Sequence, residues 1–255
     1  MATTAIESIE NMLFDKNMKP FELPIWMESL IGVDWTLLHI SPLYYGWGVP
    51  KGDGSPVILV PGFLATDFYL YDLYFWLGRI GYKPYLSNIG WNADCLNTLA
   101  GKLSETITKA NAETGKKVHL IGHSLGGILS RSAAAQNPKF VDSIITLGSP
   151  FRGVKSHPFL IDMSERIRRR IFQTHEETLP ENCYTGFCEC VAVTAMQKTL
   201  SKKIKETAIY SNSDGVVHWE NCIHNDERDF EVSGTHCGMA FNYQVYKLIG
   251  ERLKV

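Results

Sequence analysis

Val57-Ile58-Leu59-Val60 is an unbroken apolar run, mostly β-branched, closed at its two ends by Pro56 and Pro61. A strand of this make-up offers no polar face to water and must be covered on both sides, the condition of a strand inside a parallel sheet. Lys117–Ile121 and Val141–Leu147 repeat the pattern, and Lys83–Ile89, Thr207–Ser211 and Asp229–Ser233 read as further strands. Helical spacing of apolar residues fills the intervals at Asp67–Arg79, Asp94–Ala112, Ser124–Ala135 and Met239–Leu253. Strand and helix therefore alternate. Right-handed crossovers then give an α/β fold with a mostly parallel central sheet flanked by helices on its two faces.

Two segments break the rhythm. Residues 1–56, interrupted by Pro20, Pro24, Pro42 and Pro50, form a polar and aromatic leader expected to wrap the body as short helices. Residues 151–206 lack a clear strand and are expected to be a cap or lid inserted over the carboxyl edge of the sheet. The core is then 57–150 with 207–255, and the whole is one domain, a size that needs no disulfide or metal staple.

Gly122-His123-Ser124-Leu125-Gly126 matches G-x-S-x-G directly after a predicted strand and directly before a predicted helix. Glycine two residues either side of the serine suits a sharp turn with no room for a larger side chain. Such a turn pushes the Ser124 hydroxyl out over the sheet edge, at a helix N-terminus that favours developing negative charge. A serine hydroxyl needs a base to take its proton, and the base needs an acid, in the chain order Ser, Asp, His. His236, in the loop after the last strand, has the setting for the base. Asp214, after the fifth strand, is the candidate acid, with Asp226 and Asp229 as rivals. An oxyanion hole is expected from the backbone N–H of Leu125 and from that of Phe63, in the loop after the first buried strand. Apolar Phe63, Leu64 and Phe68, with His123, are candidate substrate contacts.

On VILVPGFLATD (57–67), VHLIGHSLGG (118–127), SDGVV (213–217) and GTHCG (234–238), the chain resembles the α/β-hydrolase superfamily, in its bacterial lipase-like and esterase branch. The resemblance implies a catalytic triad of Ser124, Asp214 and His236, oxyanion donors at Phe63 and Leu125, and a cap at 151–206. Pro61 stands where many lipases carry a His-Gly. The implied activity is hydrolysis of hydrophobic acyl esters through an acyl-enzyme on Ser124, without a cofactor. The alternatives are a thioesterase, an amidase or another acyl transferase on the same residues, or a non-catalytic binding protein of this fold.

Other features fit less specific roles. Lys plus Arg (25) against Asp plus Glu (27) gives net charge −2, which excludes a general pull toward nucleic acid. The partner expected is a small-molecule or lipid ester. No run is long enough to span a membrane, and no basic start followed by an apolar stretch marks a secretory signal, so a cytoplasmic protein with reduced thiols is expected. Arg166-Ile167-Arg168-Arg169-Arg170 reads as a solvated helix face. Cys183, Cys188 and Cys190, with His175, lack the paired spacing of structural zinc motifs, so no metal is expected. Cys222 and Cys237 flank the proposed acid and base and are a candidate disulfide pair. Cys95 is expected to pack.

Overall fold

The computed structural model describes residues 25–153, 156–175 and 188–254. Its strands are β1 (Pro56–Val60), β2 (Lys83–Leu86), β3 (Val118–His123), β4 (Val141–Leu147), β5 (Lys205–Tyr210) and β6 (Asp229–Glu231). They form one sheet in the order β2-β1-β3-β4-β5-β6, and every neighbouring pair is parallel. Every residue of β1 and β3 is buried, as their apolar composition requires.

Helices follow the strands: α1 (Ile31–Ile40) in the leader, then α2 (Tyr71–Arg79), α3 (Leu96–Thr114), α4 (Leu125–Gln136), α5 (Pro158–His175), α6 (Val191–Met196) and α7 (Tyr243–Arg252). The side-chain alternation of the strands splits the core in two. Leu59, Ile121, Leu147 and Ile209 pack with Trp76 and Leu77 of α2 and Tyr246 and Ile249 of α7. Ile58, Val60, Leu120 and Ile144 pack with Leu99, Leu103 and Ile107 of α3 and Leu129 and Ala133 of α4. This is the expected α/β-hydrolase architecture.

Several boundaries differ from the sequence reading for local reasons. β2 ends at Leu86, short of Ile89, because the N–H groups of Ser87 and Asn88 turn to the Asp67 carboxylate at 3.1 and 3.0 Å. The helix expected over 67–79 opens as a 3-10 turn, Asp67–Leu70, before α2. The last helix is likewise preceded by a 3-10 turn, Cys237–Phe241, and α7 starts where the Asn242 side chain accepts from the Gln244 N–H at 2.8 Å.

The described part of the leader is a 3-10 turn at Ile25–Leu30, α1, and a second 3-10 turn at Pro42–Tyr45. It is fastened to the body through Asp72 of α2, which accepts from the Trp35 indole at 3.1 Å and the Tyr44 hydroxyl at 2.7 Å. Within 151–206, α6 joins the body: the Ser132 hydroxyl donates to the Ala192 carbonyl at 2.7 Å, and Ala192, Leu200 and Ile204 lie in the core with α3 and α4. Among the described residues no helix is long and apolar enough to cross a membrane.

Candidate active site

The β3–α4 turn forces the site open. Ser124 holds φ 52° and ψ −124°, a conformation an L-residue adopts only under constraint from its surroundings. The constraint is steric: a Cβ at Gly122 would run into Gly126 and Gly127, and one at Gly126 into the carbonyls of Val60 and Pro61. Strand and helix meet this closely only with glycine at both places. Ser124 is left half-exposed at the N-terminus of α4, where the first helical N–H groups, that of Leu125 among them, point toward developing negative charge.

The loop after β1 crosses directly over this turn. A Cβ on Gly62 would lie 2.9 Å from His123 Nδ1 and 3.2 Å from Ser124 Cβ, so the chain passes too near for any other residue. Its height is fixed from outside by Trp91 and Asn92. The Leu64 N–H donates to the Asn92 carbonyl at 3.0 Å and the Asn92 N–H to the Ala65 carbonyl at 3.0 Å. The Asn92 amide reaches the Pro61 carbonyl at 2.7 Å, and the Trp91 indole the Leu64 carbonyl at 2.6 Å. Phe63 is thus held beside Ser124. Nothing in the local pattern of Trp91-Asn92 announces this duty.

Asp214, buried in the loop after β5, accepts the N–H groups of Val216 and Val217 on Oδ1 at 2.8 and 2.7 Å. Its Oδ2 lies 2.6 Å from His236 Nδ1. A carboxylate only accepts, so Nδ1 carries the proton and the neutral ring keeps its lone pair on Nε2. Burial alone would lower the His236 pKa, but the Asp214 charge and hydrogen bond, with Glu28 adding, raise it above the ordinary 6.5. Gly148, at φ 53°, sits against this pair: a Cβ there would lie 3.1 Å from His236 Nδ1 and 3.2 Å from Asp214 Oδ2. The rivals are engaged elsewhere. Asp226 holds the Arg228 guanidinium, at 2.7 Å from Nη2, and Asp229 holds His224 Nδ1 at 2.9 Å.

His123 turns inward. Its Nε2–H donates to the His236 carbonyl at 3.0 Å, and the two rings lie 4.8 Å apart. Burial, and then the nearby His236, push its pKa down to about 3, so it stays neutral. Phe63, His123, Ser124, Leu125 and His236 line one cavity of about 260 Å³, together with apolar Ile128, Pro150, Val216 and Val217. Ser164 of α5 also reaches it, from the 151–206 segment. Leu64 and Phe68 are not in its wall. Phe68 is 72% exposed and faces Tyr71, since the 3-10 turn at Asp67 rotates it outward.

Cys222 and Cys237 are free thiols, so the candidate disulfide is not formed. Burial pushes both thiols up, Cys237 to about 12 with the help of Glu28, which leaves neither suited to act as a nucleophile. Cys95 is buried and in no disulfide, as packing requires. Cys183 lies outside the described residues. Arg166 is exposed and pairs with Asp162 one turn earlier at 2.9 Å, as on a solvated helix face.

A family profile for palmitoyl protein thioesterases matches residues 71–214. A triacylglycerol lipase of Pseudarthrobacter phenanthrenivorans is 38% identical over 117 residues, 42% of this chain and 37% of that protein. One from Burkholderia plantarii is 38% identical over 117 residues, covering 42% of this chain and 33% of its own length. The matched stretch thus spans about a third of the curated relatives' length. Among solved structures, a metagenomic carboxyl esterase covers 97% of either chain with a TM-score of 0.58 at 11% identity. A Bacillus licheniformis lipase in mature form covers 81% of this chain and 94% of its own with a TM-score of 0.53 at 16% identity. At these identities the solved structures speak for the fold.

Proposed function

Because the chain belongs to the palmitoyl protein thioesterase family, matched over residues 71–214 and so over more than half its length, we propose that it hydrolyses acyl esters with Ser124 as nucleophile, His236 as base and Asp214 as acid. The observation that carries the reading is the 2.6 Å bond from His236 Nδ1 to Asp214, which leaves Nε2 as the basic atom in a cavity that also contains the strained Ser124.

In the first half-reaction His236 Nε2 takes the Ser124 proton as Oγ attacks the acyl carbon. The N–H groups of Phe63 and Leu125 receive the oxyanion. Collapse of the tetrahedral intermediate breaks the bond to the leaving group, which departs with the proton from His236. Water then gives its proton to the same Nε2, attacks the acyl-serine, and releases the acid with Ser124 restored. The chemistry draws on no cofactor. The largely apolar wall of Ile128, Val216, Val217 and Phe63 suits a hydrophobic acyl portion, and the 151–206 segment, through Ser164, acts as its cap.

The family match favours a second reading of the scissile bond, a thioester in place of an oxyester. The two share every residue above and differ in leaving group. A reducing, cytoplasmic setting, in keeping with the thiols of Cys222 and Cys237, belongs to the same reading. The test pairs p-nitrophenyl acyl esters with acyl thioesters of the same chain. Ser124→Ala should leave about 10⁻⁴ or less of the parent rate on both while keeping the fold, and should abolish labelling by a fluorophosphonate. An alanine variant that kept a tenth of the activity would remove Ser124 from the mechanism.

A further inference from the structure

Glu28 belongs to the leader, in the 3-10 turn Ile25–Leu30, far in sequence from every residue named in the mechanism. Its side chain nevertheless reaches the two loops that carry the acid and the base. Oε1 accepts the Gly215 N–H and the His236 N–H, each at 3.2 Å, and Oε2 accepts the Cys237 N–H at 2.8 Å. Gly215 is the neighbour of Asp214. One carboxylate therefore grips the Asp214 loop and the His236 loop together, across separations of 187 and 208 residues.

The geometry points to Glu28 as a positioning residue, which sets the Asp214 loop against the His236 loop through three backbone hydrogen bonds and places a negative charge behind the imidazole. This rests on the reading of Asp214 and His236 given above. The arrangement is selective for a carboxylate: three N–H donors converge, and an ionised carboxyl group alone among side chains offers two oxygens with no hydrogen. The groups that face it are His236 and Cys237 from the base loop, Asp34 from α1, Tyr69 after β1, and Asp214 from the acid loop. Burial and then Glu28 raise the Asp34 pKa, and burial, Cys237 and Glu28 raise that of Tyr69, so the Glu28 charge disfavours a second negative charge at either and favours the cation at His236.

The sign follows. Catalysis needs neutral His236, so kcat/KM falls as pH drops through its raised pKa, and the acidic limb lies above the ordinary 6.5. Removing the Glu28 charge lowers that pKa and moves the limb to lower pH. A role confined to holding the fold moves no limb.

Two variants separate these roles, measured on a p-nitrophenyl ester across the range in which histidine titrates, with unfolding midpoints alongside. Glu28→Gln keeps the length but loses the charge and turns an N–H₂ toward a backbone donor. It should shift the acidic limb of kcat/KM down by about half a pH unit and lower kcat roughly tenfold with KM unchanged. Glu28→Asp keeps the charge one methylene short of the three N–H groups, and should lower kcat while moving the limb less. A Glu28→Gln enzyme with the parental limb overturns the proposal. If that variant fails to fold, Glu28→Asp decides, and a parental kcat there overturns it equally. A parent protein that neither reacts with a fluorophosphonate nor cleaves any ester would sink the underlying reading and this one with it. A reactive parent with unaffected variants sinks this one alone.

Discussion

Ser124 and Asp214 show how differently two residues of one site declare themselves. The serine is flanked by glycines because a strand and a helix meet there with no space for Cβ atoms, and that demand is written in five adjacent letters. The aspartate has a weaker signature, its place in SDGVV after the fifth strand, and tertiary contact is what separates it from Asp226 and Asp229. Asp214→Asn should accordingly cost about 10⁴ in kcat, because an amide on Nδ1 allows the wrong tautomer of His236. Asp226→Asn and Asp229→Asn should stay within a few-fold of the parent. Steady-state rates of the three variants check the order, and a larger loss at Asp226 or Asp229 would move the acid there. Glu28, Gly148 and Asn92 were beyond reach of sequence reasoning for a related cause. Each acts on partners more than 20 residues away, and glutamate, glycine and asparagine in such settings look like any surface turn.

Among the elements, the buried strands were legible because a fully apolar β-branched run admits few other fates, and β1, β3 and β4 lie where the pattern put them. Ends were less so. Asp67 stops β2 by capturing the N–H groups of Ser87 and Asn88, a long-range competition that no window of the chain displays. The same turn swings Phe68 out of the cavity. The segment 151–206 divides by packing: α6 belongs to the body, while α5 sends Ser164 to the cavity. Among the described residues, the core supplies Ile128 of α4 and Val216 and Val217 beside Asp214 to the cavity wall, and the proposed reading sets the acyl portion against them. Ile128→Trp, which fills part of a cavity of about 260 Å³, should reduce kcat/KM for long acyl esters at least tenfold relative to short ones. Labelling of Ser124 by a small fluorophosphonate should change far less. An unaltered chain-length profile would show that the acyl portion lies elsewhere.

At the scale of the molecule, the sheet is entirely parallel, so each strand is joined to the next along the chain by a crossover, and the proposed acid, base and nucleophile arrive from β5, β6 and β3 along one edge. Alternation of strand and helix made this arrangement readable. What it conceals is the dependence of that edge on the leader, whose Glu28 meets His236 across 208 residues. Contacts of such separation form late, since the loop they close must be ordered by everything between them. Refolding from denaturant should therefore proceed in two visible stages. Far-UV circular dichroism should recover first, as strands and helices assemble, and reactivity of Ser124 toward a fluorophosphonate should lag behind it. Coincident recovery of the two signals would contradict this order. The seam between leader and base loop would then act as a clock, in which a chain that already has its secondary structure stays chemically silent until its distant segments have met.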